Sequence, residues 1–250
     1  MQHFSSDGVD IAYRIDGEGD PILLIHGFAS NSAVNWRSTS WTDTLTKAGF
    51  RTIAMDVRGH GASAKLHNPG SYHLATLAED ASRLLDHLGL ERVDVMGYSM
   101  GSRISVMLAL NHPDKVRSLV LGGMGLGLVE GIGGEEDIVA ALEADSLDEV
   151  MGDVGRGYRK FAELTRSDRP SLAACMRVQR EPIPRERLAE LSVPVLIALG
   201  TKDEVVGSAA GLAALIHGAE VLDIPGRDHM LATGDKVFRA GVLDFLSRRR

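Results

Sequence analysis

Ser99, Asp203 and His229 follow one another along the chain in an order that allows nucleophilic catalysis. A serine hydroxyl is a poor nucleophile at neutral pH. It needs a general base within hydrogen-bond reach, and that base needs a third group to orient it. Ser99 lies in Gly97-Tyr98-Ser99-Met100-Gly101, after the apolar run Val93-Asp94-Val95-Met96 and before an apolar stretch, 104–110, at helical spacing. Between a strand and a helix, Gly-x-Ser-x-Gly predicts a turn tight enough to hold its serine in strained backbone geometry. Gly97 and Gly101 are expected there because a Cβ at either place collides with the neighbouring strand or helix. The same turn leaves the Met100 N–H at the positive end of the following helix.

The expected base is His229, in the loop Pro225-Gly226-Arg227-Asp228-His229-Met230 after the last strand. The expected acid is Asp203, where the chain leaves the strand 193–199 through Gly200-Thr201-Lys202; Glu204 and Asp228 are the alternatives beside these residues. The other histidines compete poorly. His87, His112 and His217 fall within or at the ends of helices, and His67 and His73 fall near a turn. Acyl transfer also requires donors for the oxyanion, each worth roughly 3–4 kcal/mol in the transition state. The Met100 N–H is one; the Phe28 N–H, from His26-Gly27-Phe28 after the strand 21–25, is the expected second. His26 is expected to brace that loop by hydrogen bonds.

These residues need a frame. Two antiparallel strands, around His3 and over 9–15, are joined by a turn at Asp7-Gly8. The apolar run 21–25 reads as a strand buried on both faces. Strands at 52–55, 93–96, 116–121, 193–199 and 221–224 alternate with helical patterns. The latter are an apolar face from Leu77 to Leu88, then 100–111, 209–216 and 237–246. The expectation is an α/β fold: a mostly parallel eight-stranded sheet with helices on both faces. All three chemical residues then sit at the carboxyl ends of parallel strands, where open α/β sheets put their sites. Between 122 and 191 no strand pattern occurs. The segment opens Gly122-Gly123-Met124-Gly125-Leu126-Gly127, read as a flexible hinge, and continues in amphipathic pieces at 138–142, 147–151, 158–164 and 172–178. The expected organisation is a core domain, 1–122 and 192–250, with an inserted helical cap, 123–191.

Composition narrows the function classes. A net charge of −7 gives no support for a nucleic-acid surface. The Arg248-Arg249-Arg250 tail reads as a frayed, solvated terminus. The single cysteine, Cys175, excludes an internal disulfide and makes a reducing cytoplasm the expected location. The first residues lack the pattern of a secretory signal, and no apolar run approaches the roughly 18 residues of a membrane span. No metal-ligand cluster, P-loop or dinucleotide fingerprint occurs, so no cofactor is expected.

With these motifs the chain resembles the α/β-hydrolase superfamily. The matching residues are His26-Gly27-Phe28, Asp56-Val57-Arg58-Gly59-His60-Gly61-Ala62-Ser63, the Ser99 turn, Gly200-x-x-Asp203 and the His229 loop. The resemblance implies that Asp56, Arg58, His60 and Ser63 are scaffold beneath the site. Within it, the chain looks like small capped esterases, enol-lactonases and carbon–carbon hydrolases. The implied activity is hydrolysis of a small carboxylic ester or lactone, a small-molecule partner and not a nucleic acid or membrane. Ser102 stands where a third glycine is usual, and Met230 follows His229 where relatives often carry a second histidine. Arg103 falls where a menaquinone-pathway synthase holds a substrate carboxylate, which offers a lyase or carbon–carbon hydrolase as the alternative; a ligand sensor on the same fold is a further one. Haloalkane and epoxide hydrolysis need an aspartate where this chain has Ser99. Tyr98, Arg103, Met124 and Phe161 are the expected substrate contacts, with Phe28, Met100, Leu126, Leu128 and Tyr158 as further candidates for an acyl pocket.

Overall fold

The computed structural model describes residues 1–179 and 182–249. Eight strands, β1 (Gln2–Ser6), β2 (Val9–Asp16), β3 (Asp20–Ile25), β4 (Phe50–Met55), β5 (Val93–Tyr98), β6 (Val116–Gly122), β7 (Val195–Gly200) and β8 (Glu220–Ile224), form one sheet in the order β1-β2-β4-β3-β5-β6-β7-β8. β2 runs antiparallel to both its neighbours, and every pairing from β4 to β8 is parallel. Asp7 and Gly8, both at positive φ, close the first hairpin.

Alternation along the strands explains the two layers. Leu23 and Ile25 of β3 join one apolar cluster, which takes in the buried faces of α2 (Leu74–His87), α3 (Met100–Asn111) and α9 (Ala209–Ala213). Ile22 and Leu24 point the other way, into a second cluster with Trp41 and Leu45 of α1 (Trp41–Lys47) and Phe238, Val242 and Phe245 of α10 (Lys236–Arg248). A strand buried on both faces must be apolar throughout, which is why 21–25 shows no polar alternation. Helix α1 has no counterpart in the sequence reading. It is short, and its apolar face is little more than Trp41 and Leu45.

Between β6 and β7 lie α4 (Gly127–Glu130), α5 (Glu135–Glu143), α6 (Asp153–Leu164), α7 (Arg169–Gln179) and α8 (Arg185–Leu188). Gly155 lets α6 approach α5, since a Cβ there would stand 2.8 Å from the Asp137 carbonyl oxygen. Buried Arg159 and the neighbouring Arg169 donate to the Ala144 carbonyl just past α5, at 2.8 Å each, as suits cations at a helix C-terminus. Ile138, Leu142, Ala162 and Leu172 merge with the first sheet cluster.

Two expectations change. The glycine run after β6 is packed against the 206–208 loop: Gly127 N–H donates to Val206 O at 2.8 Å, and a Cβ on Gly125 would lie 2.3 Å from Gly207 O. Close backbone approach accounts for Gly125 and Gly127, whereas Gly122 and Gly123 lie against the Tyr98 ring. Nor is the arginine tail frayed. Arg248 pairs with Glu220 (2.8 Å) and Asp244 (3.0 Å), and Arg249 Nε donates to buried Asp94 at 2.5 Å. A carboxylate buried in the sheet needs such a partner, and Ser118 Oγ supplies another donor at 2.7 Å. Arg250 lies outside the described residues. Among the described residues no helix is long and apolar enough to cross a membrane.

Candidate active site

Register puts the site together before any side chain is considered. Ile25 pairs with Gly97, Gly97 with Leu121, Leu121 with Ile197 and Ile197 with Val221. The loops leaving β3, β5, β7 and β8 therefore emerge along one edge of the sheet. The turn after β5 is as tight as its spacing predicts. Ser99 has φ 52° and ψ −113°, a strained conformation for a residue with a side chain. A Cβ on Gly101 would stand 1.9 Å from Ile25 O, and one on Gly97 2.3 Å from the Gly101 backbone. Ser102 is accommodated in place of a third glycine because its hydroxyl donates to Gly122 O at 2.9 Å.

His229 lies between the other two residues. Its Nε2 is 3.1 Å from Ser99 Oγ, and its Nδ1 is 2.7 Å from Asp203 Oδ2. The acid is fully buried and the imidazole 12% exposed, so water barely competes for either contact. Asp203 Oδ1 also accepts the Val205 N–H at 3.0 Å. Asp228 is spent differently: its Oδ1 accepts the Met230 and Leu231 N–H groups and shapes the histidine loop. The acid turn and the histidine loop are tied by Lys202 N–H to Arg227 O at 2.9 Å. Tyr98 adds a third tie. Its hydroxyl donates to His229 O at 2.5 Å, with the rings 5.7 Å apart, and burial raises the phenol pKa.

The loop after β3 carries Phe28. His26 is buried, its Nδ1–H donating to Gly27 O at 2.7 Å and its Nε2 accepting Val57 N–H at 3.0 Å. The imidazole is thus spent on bracing. The Phe28 and Met100 N–H groups donate to no protein acceptor among the described residues. Beneath, Asp56 accepts Ser32 and Ala62 N–H groups at 2.7 and 2.8 Å, Ser63 Oγ donates to Asp56 O at 2.5 Å, and Arg58 grips buried Asp80 through Nε and Nη2 at 2.6 and 2.7 Å. His60, also buried, places its Nδ1 3.1 Å from Arg58 O, so Asp56, Arg58, His60 and Ser63 are all scaffold in their contacts.

Burial, with a smaller contribution from His26 beside it, pushes the His60 pKa down to about 3; burial also lowers that of His26. An unfolded chain protonates both near 6.5. The sign follows: stability from keeping both neutral is present above about pH 6.5 and is lost as pH falls below it, for His60 down to about pH 3 at about 1.4 kcal/mol per pH unit. Urea denaturation at about pH 7.5 and about pH 5.5 should show the drop, and His60→Gln should lessen it. An equal drop in the variant assigns it to other groups.

A cavity of about 130 Å³ opens on Ser99, walled by Phe28, Asn35, Tyr98, Tyr158, Phe161 and His229. A smaller recess of about 20 Å³, also reaching Ser99, is lined by Met100, Arg103, Met124 and Met176. Arg103 is 2% exposed, and its Nη1 donates to Gly127 O at 3.4 Å. Of the expected contacts, Phe161 and Tyr98 thus meet the larger cavity, and Met124 and Arg103 the recess. Leu126 packs on Gly211, and Leu128 joins the core. A larger surface groove, about 830 Å³ between α5 and α7, holds none of the expected substrate contacts and shares Met176 with the recess. Asn35 and Thr39 on the cavity wall went unread in the sequence, for no motif marks them, and Met230 was read only as a departure after His229.

A family profile described as alpha/beta hydrolase fold matches residues 20–184. The chain is 30% identical over 242 residues to the dihydrolipoyllysine-residue acetyltransferase component of an acetoin cleaving system from Pseudomonas putida. The match covers 88% of this chain and 61% of that one. It is 31% identical over 169 residues to a 2-(acetamidomethylene)succinate hydrolase from Mesorhizobium japonicum, covering 65% of this chain and 53% of the other. The chain therefore spans only about three fifths and half of these relatives' lengths. A hydrolase from Pseudomonas aeruginosa superposes with a TM-score of 0.82 at 29% identity, covering 98% of this chain and 97% of that one.

Proposed function

The chain belongs to the α/β-hydrolase fold family, and from that membership we propose that it is a serine hydrolase of small carboxylic esters or lactones. The observation that carries the reading is the relay from Asp203 Oδ2 through His229 to Ser99 Oγ, at 2.7 and 3.1 Å. His229 Nε2 takes the Ser99 proton as the oxygen attacks the ester carbonyl. The Phe28 and Met100 N–H groups receive the oxyanion. His229 then hands the proton to the departing alcohol, leaving an acyl-enzyme. Water deprotonated by the same imidazole attacks that acyl carbonyl, and the acid leaves as Ser99 recovers its proton. Asp203 holds the imidazole in the tautomer these transfers need. In this reading residues 123–191 act as a cap, since Tyr158 and Phe161 of α6 wall the cavity over Ser99.

The cavity on Ser99 is about 130 Å³, below the roughly 300–1,000 Å³ of ordinary ligand pockets, and it shares Tyr158, Phe161, His229 and Met230 with an open cleft of about 250 Å³. Among p-nitrophenyl esters from acetate to octanoate, kcat/KM is expected to peak at the short acyl chains. A fluorophosphonate should add covalently to Ser99. Background rates with every ester, or labelling elsewhere, would overturn the proposal.

Arg103 supports a second reading, a lyase or carbon–carbon hydrolase acting on a carboxylated substrate. Its guanidinium is buried at the recess beside Ser99, and one relative is named for hydrolysis of a substituted succinate. That reading expects weak turnover of simple esters and a collapse of carboxylate-substrate turnover in Arg103→Met.

A further inference from the structure

We propose that Asn35 is a specificity-determining residue whose Nδ2–H donates to a second acceptor oxygen of the substrate, close to the scissile carbonyl. The inference deepens the ester-hydrolase reading of the site and rests on it. Asn35 lies in a π-helical turn, Ala33–Arg37, that follows the loop carrying Phe28. Such turns are rare and recur at functional sites. The side chain is 5% exposed, and its Oδ1 accepts the Gly27 N–H at 3.0 Å. Only the oxygen of an amide can accept, so this bond decides which way the group is turned. Nδ2 and its two hydrogens are left on the other side, buried and without a hydrogen-bond partner among the described residues.

Buried amide donors are rarely left unpaired, because desolvation is not repaid. Asn35 lines the cavity that holds Ser99, and its Nδ2 is covered there by neighbouring atoms, so a substrate oxygen reaches the donor as the wall side chains yield to it. A carbon built on Gly27 would lie 3.5 Å from Ser99 Cβ and 3.7 Å from Asn35 Oδ1, so Ser99 and the amide oxygen flank the same glycine. The backbone beneath it is held: Asn35 N–H donates to Asn31 O at 2.9 Å, and Thr39 Oγ1 donates to Asn35 O at 2.6 Å. Phe28, Val34, Tyr158 and Phe161 offer the same cavity apolar surface. A plain alkyl ester therefore satisfies the walls and leaves Nδ2 unpaired. An ester or lactone bearing an ether, carbonyl or hydroxyl oxygen near the reacting carbon satisfies both.

The test uses isosteric pairs. On the acyl side these are p-nitrophenyl butyrate and p-nitrophenyl methoxyacetate; on the alcohol side, butyl butyrate and 2-methoxyethyl butyrate. The readout is the ratio of kcat/KM within each pair, which cancels general damage to the enzyme, compared between wild type and variant. Asn35→Asp keeps an acceptor for Gly27 N–H and removes the amide donor; Asn35→Ala removes both. In at least one pair the oxygenated ester should lose about five- to tenfold relative to its partner in both variants, as one neutral hydrogen bond implies. The pair affected identifies the side on which the oxygen binds. Ratios unchanged in both pairs, with Ser99-dependent turnover intact in the wild type, would overturn the role of Asn35 alone. No wild-type turnover of any of the four esters would remove the hydrolase reading, and this role with it.

Discussion

Ser99→Ala is expected to lower kcat for its best ester by about six orders of magnitude, toward the rate that binding and oxyanion donors alone sustain. The size follows from what is lost. Without Oγ no acyl-enzyme forms, and His229, whose Nε2 stands 3.1 Å from that oxygen, has no nucleophile to deprotonate. Fold should survive, since alanine adopts the same backbone at φ 52° at a similar cost and the glycines at 97 and 101 still clear the elbow. Steady-state kinetics beside a thermal melt tests both halves. Turnover within tenfold of wild type in a well-folded variant would exclude Ser99 as the nucleophile.

Asp203→Asn should cost about four orders of magnitude in kcat, because an asparagine amide facing Nδ1 favours the wrong imidazole tautomer. Asp228→Asn is the control. Its Oδ1 accepts the Met230 and Leu231 amides at 3.0 and 2.8 Å, and asparagine retains that oxygen. The control should therefore stay within a few-fold of wild type in kcat. The opposite pattern, a large loss at 228 and a small one at 203, would move the acid to Asp228. Both rates can be read on one short-chain ester.

Much of this was legible in the residues. The apolar strands, their order and the serine turn show in local patterns, because a strand buried on both faces and a glycine-flanked elbow each demand particular residue types. Asp203 and His229 could be named because each immediately follows a strand of the parallel sheet. Other features leave no local trace. Helix α1 carries too short an apolar face to stand out, and Arg249 looks like a loose tail until Asp94, 155 residues away, is brought beside it. Gly125 and Gly127 after β6 read as freedom but serve close packing, since the 206–208 loop that crowds them is remote in sequence.

The division has one physical cause. The fold class, the succession of strands along the chain and the choice of Ser99, Asp203 and His229 as candidates follow from short-range stereochemistry and burial, which a chain writes into its own neighbours. Which carboxylate meets the imidazole, how much space opens at the serine, and the burial of the Asn35 amide depend on distances between loops that meet only when the sheet closes. Those distances were set by tertiary packing alone.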